Sequence, residues 1–216
     1  MGTAMDTSIE AEFAQREAER RKRDEELLAL LLLFLLGWAE DEAVVALGKM
    51  LPEVPGELAQ QAGTLAGKRV TAMAATMARL INNTTDHNAA ELVEAGMSWE
   101  SALKESSKAA AEFRADLIAD DEAYKARIVG QFAAADALRD AVVSGAWPNT
   151  PYPVAWKWSA YPGCCGVCGE LSGQTFDFDA NGETVTPNGD VPGAIHPACR
   201  CTVQIVMSDN REVDLD

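Results

Sequence analysis

The sequence predicts an α+β protein: a mostly helical N-terminal body followed by a small C-terminal β-rich module that holds a Cys/His cluster. Three observations carry this. Alanine and leucine dominate up to about residue 145. Beyond it, short runs alternate apolar and polar residues. All five cysteines and one of the two histidines fall in two short pieces there, "GCCGVCGELSG" from Gly163 and "HPACRCTV" from His196. A chain of 216 residues, 48% hydrophobic, suits one or two domains with a real core. It divides into residues 1–50, a long N-terminal helix with an apolar docking stretch; 51–150, a helical body; and 151–216, the β-rich module with an acidic tail.

Residues 8–47 read as one helix. Its first part, "EAEFAQREAERRKRDEE", mixes charges of both signs. The basic run Arg20–Arg23 is offset by Glu17, Glu19 and Asp24–Glu26 and reads as a solvated face. "LLALLLLFLLGWA" (27–39) is apolar on every face, so burial is expected, in the chain's own core or against a partner. An interfacial membrane helix is the third reading. "LPEVPGE" (51–57) breaks the helix with two prolines and a glycine. A second helix is expected over 58–82. "NNTTDHN" (82–88) predicts another break, with Thr85 or Asp86 as a cap. His87 lies in that break and receives no role. Two more helices are expected over 98–118 and 119–143, the first starting at Ser98. Asp120, Asp121 and Glu122 lie where they join, and negative charge at a helix N-terminus accounts for them. "SGAWPNTPYP" (144–153) closes the helical region.

"VAWKWSAYPG" (154–163), "QTFDFD" (174–179) and "CRCTVQIV" (199–206) alternate as strands do. Trp156 and Trp158 share one face and read as core. "NGETVTPNGD" carries two Asn-Gly pairs, a strong turn signal. The tail "SDNREVDLD" is polar and expected to fray.

The formal charge of −16 argues against sequence-independent nucleic-acid binding over a broad basic face. After Thr150, Lys157, Arg200 and Arg211 stand against nine acidic residues. The apolar run Leu27–Leu36 lacks a cleavage-site pattern, follows a charged stretch, and falls short of the roughly 20 apolar residues of a membrane span. A cytosolic site of synthesis follows, where thiols stay reduced and metal binding is favoured over a disulfide framework.

Cys165 and Cys168 form a C-x-x-C knuckle flanked by glycines. The second arm is His196-Pro-Ala-Cys199-Arg-Cys201. Two short chelating arms separated by a hairpin are the layout of a structural zinc site. Residues two apart in a strand share a face, so Cys199 and Cys201 point with Val203 and Ile205, and Arg200 points oppositely. The expected ligands of Zn2+ are Cys165, Cys168, Cys199 and His196, with Cys201 as the alternative fourth ligand. Cys164 reads as a spare. A disulfide between the arms and plain buried thiols are the other readings. A redox C-x-x-C needs a βαβ setting, and hairpins are expected here. A zinc deaminase needs an upstream H-x-E, and the sequence has His87-Asn88-Ala89. No Ser/His/Asp set, P-loop or GxGxxG occurs in the sequence. No enzymatic activity is expected.

These pieces, in this order, resemble the phage head morphogenesis family typified by phage Mu protein F, the minor capsid proteins of tailed phages. The resemblance spans about residues 110–206. It rests on "RADLIADDEAYKARIVGQFAAADAL" (114–138), a Trp-containing strand, "CGVCGELSGQTF" (165–176) and "HPACRCTVQIV" (196–206). The family has a C-x-x-C followed by a leucine and a glycine, and Leu171 and Gly173 fit. His196, Pro197, Cys199, Arg200 and Cys201 fit its H-P-x-C-R-C residue for residue. Of its helix motif arginine-threonine-glutamate only Glu122 fits, since Asp120 and Asp121 stand at the first two places. The resemblance implies a structural virion protein, made in the host cytoplasm and built into the capsid interior near the portal in several copies. Head assembly and DNA ejection are the implied roles. The implied partners are the portal or major capsid protein, reached through the N-terminal helices, and packaged DNA, held weakly. Some relatives fuse this module to toxin or enzyme domains; none is expected after the motif here. The alternative from another class is a small zinc-containing nucleic-acid-binding or nuclease module, which Arg200 beside the metal would serve.

Overall fold

In the first long helix a buried residue recurs about every fourth position: Leu31, Leu35, Ala39, Ala43, Leu47 and Met50. This is helix α1, Thr3–Met50. The second, α2 (Gly56–Glu94), keeps the same spacing through Leu58, Ala62, Ala66, Val70, Ala74 and Ala78. Small residues on such a stripe let helices approach closely. The structure is a computed structural model and describes residues 3–117, 121–178, 192 and 199–215. The remaining elements are α3 (Trp99–Leu117), α4 (Ala123–Val143), β1 (Pro153–Ser159), α5 (Gly166–Leu171), β2 (Thr175–Asp177), β3 (Thr202–Met207) and β4 (Glu212–Asp214). The architecture is α+β, helical first and with a small antiparallel sheet last, as the sequence predicts.

The chain divides into two compact units that cut across the three sequence segments. One comprises Met1–Phe34 and Ala72–Ala115. Its α2 portion runs straight through "NNTTDHN", where the sequence predicts a break. The reason is tertiary. Asn82 is buried and donates to Asp24 of α1. Arg23 pairs with Asp86 at 2.7 Å. Ser106 of α3 donates to the carbonyl of buried Thr85 at 2.8 Å. Partnered in this way, the polar side chains have no need to turn back on their own backbone, which is how they disfavour helix elsewhere. His87 is on the exposed side, 3.5 Å from Glu91 one turn on. The start of α3 follows expectation: the Ser101 amide donates to Ser98 Oγ at 3.3 Å. Of the basic run, Arg20 and Arg21 pair with Glu17 on the solvated side, while Arg23 is the one drawn inward.

Of the two expected ways of burying 27–39, the chain's own core covers only one stripe. Leu31 and Leu35 are buried, but Leu30 and Leu33 are 66% and 77% exposed. A single helix can hide only the stripe that faces its neighbours. No helix among the described residues is long and apolar enough to cross a membrane.

The other unit comprises Leu35–Thr71 and Asp116–Asp216. Helix α4 is its centre, with thirteen buried residues. At Gly130 the backbones of α4 and α1 nearly touch. A methyl group there would run into the Ala39 carbonyl and stand 3.1 Å from Glu42 Cβ. Glu42 in turn takes the Gln131 amide at 2.8 Å and Arg127 Nε at 3.2 Å. Arg69 of α2 pairs with buried Asp136. Helix α4 ends at Gly145, whose φ of +80° a residue without Cβ adopts freely.

The sheet has the order β2-β1-β3-β4, antiparallel throughout. Trp156 and Trp158 are core, as predicted, at 0% and 1% exposure. Trp156 stands edge-on to Phe132 of α4, centroids 5.2 Å apart, and 4.6 Å from Phe176 of β2. The tail does not fray. Asn210, at φ +64°, turns the chain so that β4 pairs with β3. Leu215 is fully buried, and its carbonyl accepts from Gln131 at 2.8 Å and Arg127 at 3.1 Å. The two Asn-Gly pairs lie outside the described residues.

Candidate metal centre

The register of the central strand pair decides where the cysteines meet. Trp158 faces Val203 and Ser159 faces Thr202. The chain leaving β1 and the chain entering β3 therefore come off the same end of the sheet. After β1 the backbone turns at Gly163, at φ +84°. Cys165 then caps α5: its Sγ accepts the Cys168 amide at 3.5 Å. One helical turn inside, Cys168 is fully buried. The exit of α5 is tied back to β1, since the Gly173 amide donates to the Trp158 carbonyl at 2.8 Å. On the other arm, Cys199 and Cys201 are 2% and 1% exposed, and burial continues at Val203, Ile205 and Met207. Regular strand begins only at Thr202, yet the period-2 alternation read from the sequence holds from Cys199 onward.

The sulfurs of Cys168, Cys199 and Cys201 all lie within 4.8 Å of one another, with Cys168 and Cys199 at 3.9 Å. A disulfide needs about 2.05 Å. All five cysteines are free thiols. Sulfurs held about 2.3 Å from a tetrahedral metal ion are about 3.8 Å apart. The Cys168–Cys199 pair already has that spacing, and the three sulfurs together could hold a thiophilic metal ion. Burial, then the neighbouring thiols of Cys165, Cys201 and Cys199, push the Cys168 thiol far above its ordinary value. Without a cation it stays protonated; a bound metal displaces that proton and stabilises the thiolate.

Of the expected ligands, Cys168 and Cys199 are together in this cluster, joined by Cys201, which the sequence left as an alternative. Cys165 is exposed and lies outside the three, though its sulfur is beside Cys168 as the helix cap. His196 is outside the described residues. Cys164 is half-buried; a Cβ at Gly169 would stand 3.8 Å from its sulfur.

A second set of residues, at and just before the start of α4, holds the Cys199–Cys201 arm. The Tyr124 hydroxyl donates to the Cys201 carbonyl at 2.9 Å. Arg200 Nη1 donates to Asp121 at 2.9 Å and to the Cys199 carbonyl at 3.2 Å. The guanidinium also lies 5.2 Å from the centre of the Tyr124 ring, within cation–π range. Glu122 is buried beside them and takes the Lys125 ammonium at 2.7 Å. Asp121 and Glu122 stand at the N-terminus of α4, as expected, and in addition hold cations; Glu122 makes no side-chain cap. No spacing in the sequence points to Tyr124, which lies 77 residues from the cysteine it contacts. Comparison with family models, with curated proteins and with solved structures finds no match to this chain.

Proposed function

We propose that this chain is a minor capsid, head-morphogenesis protein of a tailed phage, whose C-terminal module is stapled by one structural zinc ion. The observation that supports the staple is the convergence of Cys168, from the C-x-x-C arm, with Cys199 and Cys201 of the second arm into one buried sulfur cluster. Zinc is favoured over other thiophilic metals because it needs no redox chemistry and accepts four tetrahedral sulfur or nitrogen ligands. Cys168, Cys199 and Cys201 would supply three, and the fourth is Cys165 or His196. The protein's part is to exclude water from the cluster and fix the ends of β1 and β3. The virion role rests on H-P-x-C-R-C with its upstream C-x-x-C, and on α1, whose exposed Leu30 and Leu33 offer a portal or capsid protein an apolar stripe. The protein then acts inside the head, near the portal, in several copies, during assembly and DNA ejection. Against a nucleic-acid module stands the engagement of Arg200 by Asp121, which leaves little free charge beside the cluster.

Purified virions tested with an antibody to the chain, and elemental analysis of the protein purified from host cytoplasm, check the two halves. The expected results are presence in the virion and about one zinc per chain. Absence from virions, with retention on DNA at low salt, would sink the capsid reading. Protein without metal and with its thiols oxidised would sink the zinc reading.

A further inference from the structure

We infer that Tyr124, Arg200 and Asp121 form an outer-sphere clamp that presets the Cys199–Cys201 arm for metal; the inference rests on the metal reading above. Both ligand carbonyls are held, one on each side of Arg200. The Cys199 carbonyl takes Arg200 Nη1 and the Cys201 carbonyl takes the Tyr124 hydroxyl. Arg200 is fixed in turn by the buried carboxylate of Asp121 and by the face of the Tyr124 ring. With the Arg200 side chain turned toward Asp121 and Tyr124, period-2 geometry sends the two flanking sulfurs to the opposite side, where Cys168 lies. The arm holds its ligating shape through contacts that need no metal. That reduces the ordering cost of binding, and it sets a guanidinium charge between two residues that become thiolates.

The three are positioning residues: none supplies a ligand atom. Partners of this kind change metal affinity by roughly 10–100-fold. Tyr124→Phe removes one hydrogen bond and keeps the ring, so a loss of about tenfold is expected. Arg200→Lys keeps the charge but loses the planar fork and the stacking, and a similar loss is expected. Asp121→Asn retains an acceptor oxygen and should retain more affinity than Asp121→Ala.

The test titrates zinc into the reduced, chelator-treated full chain against a chromophoric competitor, for the wild type, these variants and Arg69→Gln. Arg69 pairs with Asp136 further along the same α4, so it controls for loss of helix packing. Cobalt(II) in place of zinc gives a second readout, its visible absorption reporting tetrahedral thiolate geometry. The expected result is about tenfold weaker binding and an altered cobalt spectrum for Tyr124→Phe and Arg200→Lys, with Arg69→Gln within about twofold of wild type. Wild-type affinity in both clamp variants would overturn the clamp and leave the metal reading standing. Equal losses in all variants, Arg69→Gln included, would also overturn it. A wild-type chain that takes up no metal would sink the metal reading and the clamp with it.

Discussion

Asp136 is buried, yet it carries a charge opposite that of Arg69. Desolvation outweighs the attraction of the guanidinium and pushes its carboxyl up to about 6. In the unfolded chain it titrates near 4. The folded protein therefore holds this proton more tightly. Its contribution is present below about pH 4 and lost as pH rises through about 6, roughly 3 kcal/mol in all. Asp136→Asn mimics the protonated form. It should flatten the dependence between pH 4 and 6 and raise stability at pH 7.5, read by urea unfolding at both ends. A variant less stable than wild type at pH 7.5 would show that the ion pair wins. At the cysteines, the zinc proposal predicts that Cys168→Ser and Cys201→Ser lose metal and unfold the sheet, because a structural zinc ion contributes on the order of 10 kcal/mol. Cys164→Ser should keep one equivalent; metal loss there would overturn the ligand set. Cys168 and Cys199 were legible from arm spacing alone. The place of Cys201 was legible in part, from its alternation with Val203 and Ile205. What spacing cannot convey is that the Cys165 sulfur also caps α5, or that a tyrosine in another element grips the second arm.

Among the elements, α4 has thirteen buried residues and a close backbone approach at Gly130. Gly130→Ala would gain up to about 1 kcal/mol of helix propensity in an isolated helix. Here the methyl meets the Ala39 carbonyl, and the backbones of α1 and α4 must part. A net loss of about 1–3 kcal/mol is expected, as for other overpacked positions; a variant with a melting point equal to wild type would contradict that crossing. The long helices and the strands were readable from periodicity, since Leu58 to Ala78 and Cys199 to Met207 hold one spacing throughout. The two failures have one cause. "NNTTDHN" reads as a break and "SDNREVDLD" as a frayed end because their residues are polar. In the fold Asn82 and Asp86 find partners on α1, while the tail pairs with β3. Composition records that a residue needs a hydrogen bond, and leaves open where that bond is made.

On the scale of the whole molecule, the helical stretches and the sheet draw on different sources of stability. The helices bury long stripes of leucine and alanine. The sheet has four short strands around two tryptophans, with the sulfur cluster at one end. Metal removal should therefore act unevenly. Chelator with reductant is expected to abolish the near-ultraviolet signal of Trp156 and Trp158 and to leave most far-ultraviolet helical ellipticity. Loss of both signals in one step would mean that the helices depend on the metal too.

The central strands β1 and β3 are far apart in the chain, and the sulfurs that flank them, Cys168 and Cys199, are 31 residues apart. Bringing such ends together costs about 3 kcal/mol of chain entropy before any strand hydrogen bond forms. On the zinc reading proposed above, an ion gripped by both arms would meet that cost early, leaving the sheet to zip inward from Ser159 and Thr202. Refolding followed by tryptophan fluorescence should be faster with zinc present than with chelator, and equal rates would mean that the ion enters only after the strands have paired.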